Sequence, residues 1–210
     1  MESINELVAR YPGLAGCKDE IVKAADLIIE AYKNGKCVYT CGNGGSASDA
    51  DHIVGELMKG FIKKRPVPAE DRAKLAELFP DNADFLADNL QCGLGAMSLH
   101  SQNALSTAFA NDVEPAMLYA QAVYSIAKEG DVLISISTSG NSKNVVYASQ
   151  IAKIKGVKVI TMTGEKACKL DALADVQIHV GDTETYRVQE LHLPVYHWIC
   201  ARVEEEFFPV

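Results

Sequence analysis

Apolar residues recur along the chain with two different spacings. Over residues 18–33 they fall at Ile21, Ala25, Ile28, Ile29 and Tyr32, which places one face of a helix against a core. Asn34-Gly35 stops that pattern, and Pro12-Gly13 separates it from an earlier helical stretch at residues 2–10. Apolar runs of strand length follow at residues 37–41, 131–137 and 157–163, with shorter ones at 96–99 and 176–180. Helical patterns lie between them, at 103–110, 115–127 and 143–155. A last helix is expected over 183–207, with Pro194 removing one ladder hydrogen bond and bending it. Strands alternating with helices predict a parallel sheet covered by helices on both faces, the α/β class. Residues 70–90 stand apart as a polar surface excursion with two short helical patterns broken by Phe79-Pro80-Asp81. No repeat, low-complexity segment or linker divides the chain, so residues 1–210 read as a single domain.

The composition narrows the class of function. The chain has 210 residues, 48% of them hydrophobic, and a net charge of −8, an acidic balance that argues against a nucleic-acid surface. No apolar run approaches bilayer length and the first residues lack a signal-peptide pattern. Cys17, Cys37, Cys41, Cys92, Cys168 and Cys200 are scattered without C-x-x-C spacing. They read as reduced thiols in a cytoplasmic protein, with no disulfide framework and no cysteine zinc site.

Two turns carry the chemistry. The first strand runs into Gly42-Asn43-Gly44-Gly45-Ser46, which opens a helix bearing His52 and Glu56. Glycines allow close approach of the backbone to a ligand, and N–H groups at a helix start favour an anion such as phosphate. The spacing from Gly42 formally fits a dinucleotide fingerprint, but the required acidic residue near position 65 is an arginine after a helix. No lysine follows the glycines, which argues against a nucleotide P-loop. The second turn, residues 137–142 (Ser-Thr-Ser-Gly-Asn-Ser), also joins a strand to a helix. In a parallel sheet both turns lie at the carboxyl ends of strands, where hydroxyls and N–H groups can hold a phosphate without a cation. His52 and Glu56, four residues apart, share a helix face as two metal ligands or an acid–base pair. Gln189, His192 and His197 on the last helix are open to either a site role or simple packing.

The stretches GNGGSASDADHIVGEL (42–57) and SISTSGNSKNVVYASQIAKIKGVKVITMTG (135–164) resemble the sugar isomerase (SIS) domain, and within it the bacterial sedoheptulose 7-phosphate (phosphoheptose) isomerases. The resemblance covers residues 18–64 and roughly 96 to the C-terminus. It includes Asp49, Asn111-Asp112 and the Arg187-x-Gln189-Glu190-x-His192 run leading to His197. It implies one zinc ion per site held by His52, Glu56, Gln189 and His197, with Glu56 and His197 as the acid–base pair. It further implies a substrate bound by Asn43, Gly44, Ser46, Ser137, Thr138, Ser139, Ser142 and Gln189, with Asp112 lining the sugar site. A homotetramer with active sites between subunits is expected on the same ground, as is a product that feeds heptose synthesis for lipopolysaccharide or another surface glycan. Two features depart from the family pattern. The chain is longer between Glu56 and Asp112, mostly within residues 64–91, which reads as an insertion. Tyr186 stands where an aspartate is expected. The alternatives are a non-catalytic SIS binding protein of the DnaA initiator-associating type and an isomerase of another sugar phosphate.

Overall fold

The computed structural model describes residues 1–209. Its centre is a five-stranded sheet: β1 (Val38–Cys41), β2 (Ala96–Ser98), β3 (Val132–Ile136), β4 (Lys158–Thr163) and β5 (Val176–His179). Their order is β2-β1-β3-β4-β5 and every pairing is parallel. Alternate residues of each strand point to opposite faces, so β1, β3 and β4 feed two cores. Val38, Val132, Ile134, Ile136, Ile160 and Met162 pack on one side against α2 (Lys18–Lys33), α3 (Gly45–Met58) and α9 (Thr185–Phe207). Tyr39, Cys41, Leu133 and Val159 pack on the other against α7 (Leu118–Ile126) and α8 (Lys143–Ile154). A parallel sheet covered on both faces is the architecture that the sequence predicts.

The topology creates a crevice. From β1 the chain crosses through α3 to β2 on one side, whereas β3 lies on the other side of β1 and crosses through α8 to β4. Cys41 pairs with Ser135, so β1 and β3 end side by side and their polar turns leave the sheet at the point where the winding reverses. α3 and α9 lie against the same face and run alongside each other, which proves decisive for the site.

Several boundaries differ from the sequence expectation, each for a local reason. The first helix, α1 (Ile4–Arg10), starts late because Ser3 and Glu6 form a reciprocal capping box. The 115–127 pattern divides into a short 3-10 turn, Pro115–Met117, and α7. α6 (Asn103–Asp112) runs through Asn111-Asp112 instead of stopping before them. α9 continues through Pro194 as one helix. α3 stops at Met58, before the basic stretch at 63–68, and Arg65 of that stretch is fully buried. The polar excursion folds as a hairpin of α4 (Ala69–Leu78) and α5 (Ala83–Asn89). The Pro66–Gln91 bridge closes its base, and Arg72 pairs with Asp84 and Asp88 across it.

Candidate active site

The glycine turn is built by backbone chemistry. Gly44 has φ +57°, which side-chain-bearing residues rarely adopt, and it opens α3, where the N–H groups of Ser46, Ala47 and Ser48 donate to the Asn43 and Gly44 carbonyls. Asn43 and Gly44 are exposed there, while Ser46 is almost fully buried at 3% exposure. The second turn is shaped by its own hydroxyls: Ser137 Oγ and Ser142 Oγ lie 3.1 Å apart, and Asn141 N–H donates to Ser139 Oγ at 3.2 Å. Thr138 and Ser142 are half-buried and Ser139 is exposed. The turns are tied to each other. Asn43 and Asn144 exchange reciprocal amide hydrogen bonds at 2.9 and 2.8 Å, and Tyr119 O–H donates to the Gly42 carbonyl at 2.6 Å. The first turn is thus tied to the start of α8, just after the second turn, at the ends of β1 and β3.

The second half of the site lies between α3 and α9. His52 Nε2 sits 3.0 Å from Glu56 Oε1, and Lys59 Nζ donates to Glu56 Oε2 at 2.8 Å. The ring of His197 meets the ring of His52 edge-on, with centroids 5.0 Å apart. His197 Nε2 is buried and has no hydrogen-bond partner among the described residues. Burial, and then the neighbouring His52, hold the pKa of His197 below its ordinary value, so it is neutral near pH 7. His197 also walls a cavity of about 300 Å³ with Phe61, Trp198 and α1 residues.

Gln189 precedes His197 by eight residues, roughly 12 Å of helix. It lies at the turn end of the groove, its amide atoms 2.7 and 2.8 Å from where a Cβ on Gly45 would stand. Asp112 remains outside the cluster: it is exposed and accepts a hydrogen bond from Asn111 at 2.7 Å. His192 faces the core, fully buried, with Nε2 3.4 Å from the Thr163 carbonyl. Burial drives its pKa down to about 4. It therefore packs as a neutral ring, one of the two roles the sequence left open.

The donor set suits zinc in kind, with two imidazoles, a carboxylate and an amide oxygen. Among the described residues no three His, Cys, Asp or Glu side chains converge as a metal would require. His52 and Glu56 instead meet in a 3.0 Å contact, and the His197 ring, whose buried Nε2 lacks a partner, lies 5.0 Å from the His52 ring between centroids. An unpartnered buried ring nitrogen next to a His/Glu pair fits such an ion.

Three features of the site were not anticipated from the sequence. Tyr196 O–H contacts both Asp49 and His52. Asn144 ties the two turns. A buried ion pair, Arg65–Glu204, locks the end of α3 to α9: Glu204 accepts N–H bonds from Phe61, Ile62 and Lys63, while Arg65 donates to the carbonyls of Glu56 and Leu57. Glutamate near the end of a helix and arginine in a basic run both read as solvated, so only their pairing distinguishes them.

Comparison with known proteins yields a consistent family. The SIS domain profile matches residues 4–77 and 72–164. The phosphoheptose isomerase of Helicobacter hepaticus is 36% identical over 186 residues, covering 89% of this chain and 82% of its own. Phosphoheptose isomerase 2 of Campylobacter jejuni is 37% identical over 196 residues, covering 91% and 85%. Among solved structures, the phosphoheptose isomerase of Neisseria gonorrhoeae superimposes with a TM-score of 0.75 at 28% identity, over 94% of this chain and 91% of that one. With its polar cradle at the switch point of a parallel sheet, this chain belongs to the SIS domain family, among the relatives of the phosphoheptose isomerases.

Proposed function

We propose that this protein is an aldose–ketose isomerase that converts sedoheptulose 7-phosphate to D-glycero-D-manno-heptose 7-phosphate through an enediol. The observation that carries the reading is that α3 opens at the first polar turn and carries His52 and Glu56, with the His197 ring of α9 against His52. Its relatives at 36–37% identity bear the name phosphoheptose isomerase.

Ser46, Ser137, Thr138, Ser139 and Ser142, with the N–H groups after Asn43 and Gly44, hold the phosphate at the turn end. Anchoring that end aligns carbons 1 and 2 with the far end of the groove, which supplies part of the rate through orientation alone. Glu56 removes a proton from carbon 1 while His197 gives one to the carbonyl oxygen on carbon 2, producing the enediol. Glu56 then returns its proton to carbon 2, and His197 recovers one from the oxygen on carbon 1, leaving the aldose. Because its pKa is lowered, His197 rests neutral, and once it has taken up a proton the ring gives it up readily. Lys59 Nζ donates to Glu56 Oε2 at 2.8 Å and holds the carboxylate in place. His52, Glu56 and His197, with Gln189 as the fourth donor, would hold a zinc ion; bound there, it supplies Lewis-acid polarisation of the carbonyl.

In this reading Asp112 reaches a sugar only through assembly, which agrees with a homotetramer whose sites lie between subunits. The α4–α5 hairpin is read as an insertion within a single SIS domain, as its own closed base and the Arg72 pairs across it suit. No helix among the described residues is long and apolar enough to cross a membrane, and a cytoplasmic location fits the substrate class.

Proton NMR with sedoheptulose 7-phosphate in D2O tests the reaction. Zinc-loaded protein is expected to generate an aldose anomeric signal carrying deuterium at carbon 2. Glu56→Gln is expected to lose at least ~100-fold in rate. Absence of the aldose signal from the native protein would overturn the proposal.

A further inference from the structure

The turn over residues 137–142 is held from outside by the loop that follows β4, residues 164–170. Gly164 N–H donates to the Thr138 carbonyl at 3.0 Å, and Leu170 N–H to the Gly140 carbonyl at 3.3 Å. Gly140, with φ +62°, is buried against Cys168, and a side chain at position 140 would collide with that thiol. The loop is stiffened in its turn, because Asp171 accepts both the N–H and the S–H of Cys168 at 2.8 Å. One side chain completes the join. Asn141 Oδ1 accepts the Lys169 N–H at 3.2 Å, and Asn141 Nδ2 donates to the Ser139 carbonyl at 2.7 Å.

Those two bonds use the amide at both ends, its oxygen toward the loop and its nitrogen toward the turn. An aspartate of the same shape has no proton for the Ser139 carbonyl, and an alanine reaches neither group. The Asn141 backbone adds a third contact, its N–H donating to Ser139 Oγ at 3.2 Å. The Ser139 hydroxyl thus accepts a hydrogen bond from the chain and keeps its own proton for another acceptor. Ser139 is exposed on the open side of the turn, where an anion can take that proton. We propose that Asn141 is a positioning residue for the substrate phosphate: its amide clamps the second turn to the 164–170 loop and holds the Ser139 hydroxyl as a donor to the anion.

This arrangement deepens the proposed function and rests on the phosphate-binding part of that reading. Binding by neutral hydroxyl and N–H donors depends on their being ordered in advance, since a loose turn spends binding energy on its own ordering. The clamp supplies that order from a loop 28 residues away in sequence.

The test is the affinity of the full chain for inorganic phosphate, measured by titration calorimetry, together with KM and kcat on sedoheptulose 7-phosphate. Asn141→Ala is expected to bind phosphate roughly 10-fold more weakly, the worth of one or two hydrogen bonds. KM should rise by a similar factor with kcat nearly unchanged, because the reacting carbons lie at the other end of the substrate. A merely structural role would lower the melting temperature and leave phosphate affinity as it was. Since Asn141 acts through Ser139, adding Asn141→Ala to Ser139→Ala should weaken phosphate binding by less than about 3-fold more. Losses that multiply in full would show Asn141 touching the anion itself and would overturn the positioning role. If Asn141→Ala binds phosphate like the native protein, the inference is overturned while the isomerase reading stands. If Asn141→Ala weakens phosphate binding as expected but the native protein turns over no heptose phosphate, the inference stands and the assigned reaction fails. A native protein that binds no phosphate overturns the inference together with the phosphate reading. Should Asn141→Ala not fold, hydrogen exchange of the native protein decides: the Lys169 N–H is expected to be protected and to exchange more slowly with phosphate bound, and a freely exchanging one overturns the proposal.

Discussion

Removing the charge of Glu204 is expected to destabilise the fold more than any exposed ion pair would. Glu204 and Arg65 are each only 1% exposed, and their contact of 2.8 Å is one of several. Glu204 Oε1 takes the N–H of Phe61 and Oε2 those of Ile62 and Lys63, at 2.8 to 3.0 Å. Arg65 reaches back to the Leu57 and Glu56 carbonyls at 2.8 and 3.1 Å at the end of α3, where the Leu57 carbonyl also accepts the Leu94 N–H. Its guanidinium also lies 4.5 Å from the Phe208 ring centre. Breaking such a pair from one side strands the other charge in the interior, at a cost of about 3–5 kcal/mol. Against a total of roughly 5–15 kcal/mol that is a large fraction. For a chain of this size it corresponds to a fall in melting temperature of about 10 °C.

Glu204→Gln and Arg65→Met should each show that fall in a thermal melt followed by circular dichroism. The double variant should recover at least about 2 kcal/mol of the summed loss, because it strands neither charge. Acid should reveal the same interaction. Burial raises the carboxyl pKa of Glu204, but the three N–H groups and the guanidinium together outweigh it and hold the group below its ordinary value. Its contribution is therefore complete above the unfolded value of about 4.3 and is lost as pH falls through the folded one. Glu204→Gln should lack that acid limb. Single variants that each cost less than about 1 kcal/mol, or losses that simply add, would refute the reasoning.

Two further outcomes follow from the groove. Gly45→Ala puts a methyl group 2.7 to 2.9 Å from the Gln189 amide, which is the flexible end of a side chain and can move aside. Melting should change by less than about 1 kcal/mol, while zinc affinity and KM worsen several-fold if Gln189 acts at the site; unchanged affinity and KM would remove Gln189 from it. His192 is buried neutral with a pKa of about 4. Below about pH 6.5 the unfolded chain therefore takes up a proton that the folded chain refuses, and native stability should fall by up to about 3 kcal/mol by pH 4. His192→Gln should flatten that limb in urea melts, and an unchanged slope would show that His192 is not its source.

The sequence alone determined the α/β class, the parallel sheet and both polar turns, because hydrophobic spacing and glycine chemistry act over a few neighbouring residues. It also marked the 70–90 segment as helical and exposed, since no apolar face there asks for a core. Resemblance then named His52, Glu56 and His197 before any distance was known. The partners of those residues emerged only in three dimensions. Tyr196 and His52 are 144 positions apart, and Arg65 and Glu204 are 139 apart. Each looks ordinary in its own segment: a tyrosine in a buried helix, an arginine in a basic run, a glutamate near a helix end. The packing of α3 beside α9 decides which of them meet. It does so because burial excludes water and leaves each polar group only the partner that the fold supplies. Gln189 and Asp112 show the converse: both match the family pattern by position, yet the single chain leaves one against Gly45 and the other on an exposed helix end.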